Sequence, residues 1–202
     1  MTRDTRAFQF QIDQTEPLYE GFYRMDRLTV SHQTFKGGQI SIQRELMDRH
    51  DAVCVLPVDL VTNHVVLIEQ FRVGALKESN PWLLEVVAGL IDKDEAPEEV
   101  AHREAIEEAD IEINRLHPIT EYLPSPGGTN ERVFLYVGEV DSVGAGGIHG
   151  LDSEGEDIRV HRVPLAQAYA WCADGTINNA ASLISLLWLQ LNEAKLRKLW
   201  SE

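Results

Sequence analysis

Three glutamates within one short segment could bind a divalent cation. Glu104, Glu107 and Glu108 stand at positions i, i+3 and i+4, so a helix over residues 97–110 would place them in one arc. Mg²⁺ prefers hard carboxylate oxygens and is bound in proteins through one or two carboxylates together with substrate phosphates. The segment therefore has the residue types and the spacing of a magnesium site.

The alternative is a solvated helix face, since glutamates on helices are usually exposed. Glu104 and Glu108 are like charges at i,i+4, which is unfavourable, and no basic residue is spaced to relieve Glu108. The adjoining stripe consists of small residues that would let the helix approach a sheet closely, namely Ala101, Ala105 and Ala109. Both features favour a rigid metal site.

The overall charge restricts the partners. The chain has 33 Asp+Glu against 18 Lys+Arg, a formal net charge of −15, and no Lys/Arg cluster that could replace phosphate counterions. We therefore expect no nucleic-acid partner. A phosphate-bearing ligand would be repelled by such a surface unless divalent cations or a local group of arginines accompanied it.

The apolar runs restrict the compartment. The first twenty residues contain no apolar run of signal-peptide length, and the longest runs elsewhere, such as residues 183–189, are too short to span a bilayer. Cys54 and Cys172 lie far apart beside apolar neighbours, which fits two buried thiols in a reducing compartment. We expect a cytoplasmic protein without a membrane partner.

Residues 51–202 have the pattern of an α/β domain that could position the glutamates. The predicted strands cover residues 52–57, 65–73, 82–87, 119–122 and 133–140, and two later helices cover residues 164–173 and 178–200. Gly89 opens a loop before the glutamate helix, and residues 144–150 are predicted as a flexible loop. This order predicts a mixed sheet covered by helices on both faces.

Residues 1–50 are predicted to form a small β-strand subdomain. Short strand-like runs at residues 8–12, 22–30 and 39–44 carry too few apolar residues for an independent core. We expect this subdomain to lie against the main domain or to pair with a second subunit.

The glutamate helix and its flanks resemble a known signature. The Nudix box is a glycine, a glutamate, an Arg-Glu pair and a Glu-Glu pair at fixed distances, and the matching residues are Gly89, Glu95, Arg103, Glu104, Glu107 and Glu108. One position departs from the family pattern, because Asp110 stands where the family has glycine at the helix end. We expect Asp110 to adopt the left-handed conformation at modest cost.

Other segments are similar to the bacterial ADP-ribose diphosphatases of this family; they cover residues 18–22, 66–70 with Arg72, 81–85, 125–132 and 147–158. The resemblance implies a Nudix α/β/α sandwich with a mixed sheet. It also implies a homodimer in which the N-terminal strands are exchanged. The activity it implies is Mg²⁺-dependent hydrolysis of ADP-ribose to AMP and ribose 5-phosphate, by water attack on the diphosphate.

The resemblance assigns the cation ligands to four glutamates and one backbone group. It implies that Glu104 and Glu108 bind two or three Mg²⁺ ions, with Mn²⁺ as an alternative, and that Glu107 takes part through water. Ala88 would offer its carbonyl, and Glu156 would be a further ligand.

The remaining residues of the box receive structural roles from the same resemblance. Gly89 would permit a tight turn. Arg103 and Glu95 would form a pair that orients the carboxylates.

The acidic loop at residues 149–157 matches the mobile loop of the family, in which Glu154 would be the general base. Closure of such a loop would exclude bulk water and align the attacking water. A loop of this composition is otherwise ordinary exposed surface. Glu131 is a weaker candidate for the base, and the sequence leaves the choice between the two open.

The resemblance also assigns contacts with the substrate. Phe22 and Arg44 match positions that stack the adenine, with Arg44 supplied by the partner subunit, and Arg72 would contact phosphate. Around Ser125 and Gly127, backbone amides could approach a sugar or phosphate, although the segment could also be only a turn. The structural alternatives are a core position for Phe22 and surface positions for Arg44 and Arg72.

Two other functions compete with ADP-ribose hydrolysis. One is hydrolysis of another nucleoside diphosphate sugar such as GDP-mannose. The other is a non-catalytic sensor that binds ADP-ribose. The intact set of Glu104, Glu107 and Glu108 argues against the sensor, because sensors can lose those acids.

Overall fold

The computed structural model describes residues 7–92 and 94–201. Contacts divide the chain into two compact units. The smaller unit contains the chain up to His50 together with Leu123–Glu131, and the larger unit contains Asp51–Tyr122 and the chain from Arg132 onwards. None of the helices among the described residues is long and apolar enough to cross a membrane.

The smaller unit is built on a three-stranded antiparallel sheet. Its strands β1 (Phe10–Glu20), β2 (Arg24–Gln33) and β3 (Gln39–Asp48) lie in the order β1-β2-β3. All eleven residues of β1 are exposed, and they continue well past residue 12, where the predicted strand ends. Cross-strand pairing to β2 carries β1 through the polar residues 14–16.

A return segment of the chain completes this unit. Met47 N donates to Gly128 O at 2.8 Å, and Arg49 N donates to Asn130 Oδ1 at 3.1 Å. Arg49 also forms an ion pair with Glu131 at 3.0 Å. The segment at residues 123–131 therefore packs with the N-terminal strands, from which it is distant in sequence.

The larger unit contains a mixed eight-stranded sheet. Its main path runs β10-β11-β5-β4-β9-β8, while β6 pairs with β5 and β7 pairs with β4. The β4–β9 pair is parallel and the other pairs are antiparallel. The strands are β4 (Ala52–Asp59), β5 (His64–Phe71), β6 (Trp82–Glu85), β7 (Val87–Leu90), β8 (Arg115–Tyr122), β9 (Val133–Glu139), β10 (Gly147–His149) and β11 (Ile158–Pro164).

Helices cover both faces of this sheet. They are α1 (Pro97–Ala109), α2 (Leu165–Asp174) and α3 (Ala180–Ser201). Along β5, Val65 and Leu67 belong to the core shared with α2 and α3, whereas Val66 and Ile68 belong to the core shared with α1. The predicted α/β/α sandwich with a mixed sheet is confirmed, as is the end of α2 at Gly175, which has φ +84°.

Neither β10 nor β11 was predicted as a strand. Residues 144–150 were expected to be loop throughout, but Gly147–His149 form β10, paired with β11. The expectation was wrong because this strand depends on its partner and not on its own glycine-rich sequence. The sequence pattern also missed β11, where Arg159, His161 and Arg162 interrupt the apolar residues.

Candidate active site

Helix α1 has the boundaries that its sequence predicts. Pro97 occupies the first turn, and Glu99 accepts a hydrogen bond from the backbone N–H of Ala96 at 2.8 Å. At the other end Asp110 adopts the left-handed conformation with φ 52° and ψ 45°, and its N–H donates to Ile106 O at 2.9 Å. The predicted left-handed cap without glycine is confirmed.

The alanine stripe brings α1 close to the sheet. The side chains of Ala101, Ala105 and Ala109 are buried against β4 and β7. As a result Glu108, which adjoins the stripe, is only 2% exposed. The side chains of Glu104 and Glu107 are 14% and 30% exposed. The three glutamates therefore lie at different depths along the edge of a packed surface.

Gly89 makes room for a carboxylate. It lies in the extended strand β7 opposite Val53 of β4, so the prediction that it begins a loop and permits a tight turn was wrong. A Cβ atom at this position would lie 1.9 Å from Oε1 of Glu104. A larger residue at this position would displace the Glu104 carboxylate, which lies directly over the strand.

Burial makes ionisation of Glu108 and Glu104 costly. Oε2 of Glu108 accepts a hydrogen bond from the backbone N–H of Ala88 at 2.9 Å. Burial raises the pKa of Glu108 to about 8, and the charges of Glu104 and Glu156 contribute to the rise. Burial also raises the pKa of Glu104 to about 7, although Arg103 opposes it. The ion pair of Glu104 with Arg103 does not offset the burial of Glu104.

Arg103 contacts three carboxylates at once. Its Nη2 donates to Glu95 at 3.1 Å, and its Nη1 donates to Glu104 at 2.7 Å and to Glu107 at 2.9 Å. The pairing of Arg103 with Glu95 places a fixed guanidinium beside the outer glutamates of α1. The deeper Glu108 is outside this set of contacts.

The acidic loop lies between β10 and β11. Glu156 accepts a hydrogen bond from the backbone N–H of Leu151 at 3.0 Å, and its charge acts on both Glu104 and Glu108. Glu154 ends a short 3-10 turn, and its side chain is exposed. The loop thus brings Glu156 near the α1 carboxylates and leaves Glu154 in contact with solvent.

The arrangement fits a cation that keeps water and phosphate among its ligands. In residues 7–92 and 94–201, no group of three or more His, Cys, Asp or Glu side chains is gathered closely enough to hold a metal ion by itself. Glu104 and Glu107 face Arg103, and Glu156 binds a backbone amide. Mg²⁺ commonly binds one or two carboxylates and completes its shell with water and substrate phosphates. The hard oxygens of Glu104 and Glu108 match that requirement.

Arg72 lies on the same side of the sheet as Glu108. Its Nε and Nη2 donate to Oε2 of Glu85 at 2.9 and 2.7 Å. The charges of Arg72 and Glu108 act on each other. No role was predicted for Glu85 from the sequence. Its position at the end of a strand just before Gly89 could have indicated that its side chain lies near the site.

The remaining predicted substrate residues belong to the smaller unit. Phe22 is 76% exposed and contacts Tyr23 edge to face, so it is not a core residue. Arg44 is exposed, and its Nη1 donates to Gln43 O at 2.7 Å. Glu131 is only 9% exposed and pairs with Arg49.

The predicted turn after residue 124 is present in the same unit. The carbonyl of Ser125 accepts hydrogen bonds from the N–H groups of Gly128 and Thr129, both at 3.1 Å. Gly127 is exposed within this turn.

Comparison with known proteins settles the family. The NUDIX domain profile matches residues 48–199. The chain belongs to the Nudix family. A solved structure described as an ADP compounds hydrolase shares the fold, with a TM-score of 0.68 at 23% identity over 92% of this chain and 97% of that chain. The Nudix box residues are those that surround the buried carboxylates of α1.

Named relatives of this Nudix chain are pyrophosphatases. ADP-ribose pyrophosphatase of Escherichia coli (strain K12) is 50% identical over 92% of this chain and 90% of the relative. The protein of the same name from Haemophilus influenzae is 45% identical over 92% and 88%. GDP-mannose pyrophosphatase of Cronobacter sakazakii is 34% identical over 86% and 91%. The expectation of a Nudix hydrolase is confirmed.

Proposed function

We propose that this Nudix hydrolase cleaves ADP-ribose to AMP and ribose 5-phosphate in a Mg²⁺-dependent reaction. The observation that carries the proposal is the geometry of α1, which buries Glu108 and places the partly buried Glu104 over strand β7, where a divalent cation would complete the site. The choice of ADP-ribose is supported by relatives of that specificity at 45–50% identity. GDP-mannose is the alternative substrate, supported by more distant relatives.

The cation ligands follow from the carboxylates around α1. Glu104 and Glu108 would hold two or three Mg²⁺ ions, or Mn²⁺ in their place, with Glu107 acting through water and with Glu156 and the Ala88 carbonyl as further ligands. When bound, the ions would supply positive charge that neutralises the diphosphate in an acidic protein. To act as ligands, Glu104 and Glu156 would exchange their contacts with Arg103 and Leu151 for the cation.

Glu154 is the proposed general base. It lies on the loop between β10 and β11, so closure of this loop over the substrate would bring its carboxylate to the attacking water. The competing candidate, Glu131, is already paired with Arg49 and is largely buried within the smaller unit. An ion-paired carboxylate is a weaker base, which favours Glu154.

The proposed substrate contacts are those that the family resemblance implies. Arg72 would contact phosphate, and the backbone around Ser125 and Gly127 would approach the sugar or phosphate. Phe22 and Arg44 would stack on the adenine, which is supported by the exposure of both side chains. In this scheme residues 51–202 form the hydrolase domain and residues 1–50 supply the adenine side of the site.

A homodimer with exchanged N-terminal strands would complete this site. All of β1 is exposed, including the large apolar side chains of Phe10, Ile12 and Tyr19, as expected of a surface covered by a partner. The acidic surface and the two cysteines, which form no disulfide, support a cytoplasmic enzyme with no nucleic-acid or membrane partner.

The test is release of AMP from ADP-ribose with and without Mg²⁺. The wild type should turn over only with the cation, and Glu154→Gln should lower kcat by about 100-fold or more because the general base is lost. Glu112→Gln, at an exposed glutamate beyond the end of α1, is the matched control and should retain wild-type kcat.

A substrate panel separates the alternatives. Faster release of GMP from GDP-mannose than of AMP from ADP-ribose would identify GDP-mannose as the preferred substrate. Tight binding of ADP-ribose without turnover of any nucleotide sugar would identify a sensor. Full activity of Glu154→Gln would show that Glu154 is not the general base and would make Glu131 the candidate.

A further inference from the structure

We infer that Glu85 is a positioning residue that aims Arg72 at the substrate phosphates. The inference rests on the proposed function, in which Arg72 contacts phosphate. Glu85 ends β6 and stands opposite Ile68 of β5. It also closes the segment at residues 81–85, for which the proposed function has no role.

The contact between Glu85 and Arg72 fixes one edge of the guanidinium. Both Nε and Nη2 of Arg72 donate to Oε2 of Glu85, at 2.9 and 2.7 Å, and Nε2 of Gln70 approaches the same oxygen at 3.4 Å. The side chain of Glu85 is 13% exposed, whereas that of Arg72 is 42% exposed. Hydrogen bonds of this charge-assisted kind are strong and directional. The other edge of the guanidinium, with Nη1, is oriented away from Glu85 and can meet an anion.

Helix α3 holds the backbone on both sides of Glu85. The Ser182 Oγ accepts a hydrogen bond from Val86 N at 3.0 Å, and Asn179 Nδ2 donates to Leu84 O at 2.7 Å. Ser182 is fully buried, and its own N–H donates to the Asn179 side chain at 3.2 Å. The carboxylate of Glu85 is therefore mounted on a rigid strand, as a group that orients another side chain must be.

The charge of Glu108 explains why Arg72 needs to be held. Arg72 and Glu108 are close enough for each charge to act on the other. Ionised Glu108 would attract an arginine that lacked Glu85, and the guanidinium would then compete with a cation and leave the phosphate unbound. Glu85 thus holds the Arg72 guanidinium near Glu108 but prevents it from forming an ion pair with that carboxylate.

The first test compares KM and kcat. Glu85→Gln keeps the shape of the side chain and removes its charge, so KM for ADP-ribose should rise by about 10-fold or more while kcat changes less. Glu69→Gln is the matched control, since Glu69 is a partly buried glutamate of the adjacent strand that pairs with His161 at 2.9 Å. The control should leave KM unchanged. An unchanged KM in Glu85→Gln, or an equal rise in the control, would overturn the inference.

A double-mutant cycle tests whether Glu85 acts through Arg72. In protein that already carries Arg72→Ala, adding Glu85→Gln should change KM by less than about 2-fold, because there is no guanidinium left to position. The same factor in both backgrounds would mean that Glu85 acts independently of Arg72. If Glu85→Gln does not fold, Glu85→Asp replaces it in the same cycle and is judged by the same criterion.

Binding measurements separate this inference from the proposed function. A wild type that does not hydrolyse ADP-ribose would refute the function, and calorimetric binding to metal-free protein would then decide the role of Glu85. Glu85→Gln should weaken binding of ADP-ribose but not of adenosine, which lacks phosphate. Equal weakening of both ligands, or no weakening of either, would refute the positioning role.

Discussion

Among the described side chains of the larger unit, two carboxylates are buried, Asp59 at the end of β4 and Glu108 near the end of α1, with 3% and 2% exposure. Asp59 accepts hydrogen bonds from the N–H groups of Val61, Thr62 and Ser142 and from the hydroxyls of Thr62 and Ser142, at 2.6–3.2 Å. Burial opposes its ionisation, but these donors outweigh burial and lower the pKa of Asp59 well below its usual range. Glu108 accepts its hydrogen bond from Ala88, and its pKa is raised to about 8.

The difference separates a carboxylate whose charge the fold stabilises from one whose charge the fold opposes. The fold itself supplies the donors that stabilise the charge of Asp59, so this charge can tie β4 to the segment after β9 without any ligand. Around Glu108 the fold instead places Glu104 and Glu156, which add negative charge. Without a cation, a carboxyl group in such surroundings holds its proton up to a higher pH than usual.

The largest expected effect is the loss of hydrolysis in Glu108→Gln. This change removes the charge at the deepest carboxylate, so kcat should fall by about 1,000-fold if the cation is bound there. The thermal midpoint of the metal-free protein should be unchanged or higher, because a neutral amide costs less to bury than a carboxylate. Glu112→Gln is again the control. A large loss of stability would mean that Glu108 is structural like Asp59.

The converse change, Asp59→Ala, should destabilise the protein without disturbing the chemistry. Five donors would lose their acceptor, so the free energy of unfolding in urea should fall by about 2–4 kcal/mol. Molecules that remain folded should retain wild-type kcat. Asp141→Ala, which removes an exposed acceptor of a single hydrogen bond at 2.9 Å, should cost less than about 1 kcal/mol. Loss of kcat in folded Asp59→Ala protein would contradict the separation of roles.

A smaller effect is expected from Gly89→Ala. The new Cβ would overlap the Glu104 carboxylate, and the flexible side chain would move aside, so kcat should fall by about 10-fold while stability changes little. Gly74→Ala is the matched control, since a Cβ at Gly74 would meet no atom within 4 Å. If both variants retain full activity, the position of Glu104 over the strand has no part in the reaction.

The smallest effect concerns the pH dependence of stability. The pKa values of Glu104 and Glu108 are raised from 4.5 to about 7 and about 8, so metal-free protein should lose stability as pH rises through this window. Asp59 has the opposite sign, and its contribution should be lost only as pH falls below about 4. Urea unfolding between pH 5 and 9 with a chelator should show the decline. Saturating Mg²⁺ should reduce the decline in stability, and so should Glu108→Gln. If the decline under both conditions equals that of the metal-free wild type, these carboxylates are not its cause.

The sequence predicted those features that depend on local pattern. Helix α1, its cap at Asp110 and the strands β4 and β5 follow from spacing and apolar runs. Features that depend on distant partners were missed or misread. β10 is a strand only because β11 is beside it, and Gly89 is needed for space above a strand and not for a turn. The contact between Glu85 and Arg72 joins positions 13 residues apart through a strand pair whose register the sequence does not reveal.

The most direct test of whether Glu104 and Glu108 form the cation site is to measure Mn²⁺ binding by electron paramagnetic resonance. Wild-type protein and Glu112→Gln should bind the ion with equal affinity, and Glu108→Gln should bind it at least about 10-fold more weakly. Equal binding by Glu108→Gln and the wild type would show that the cation binds elsewhere. The raised pKa of Glu108 would then be unrelated to cation binding.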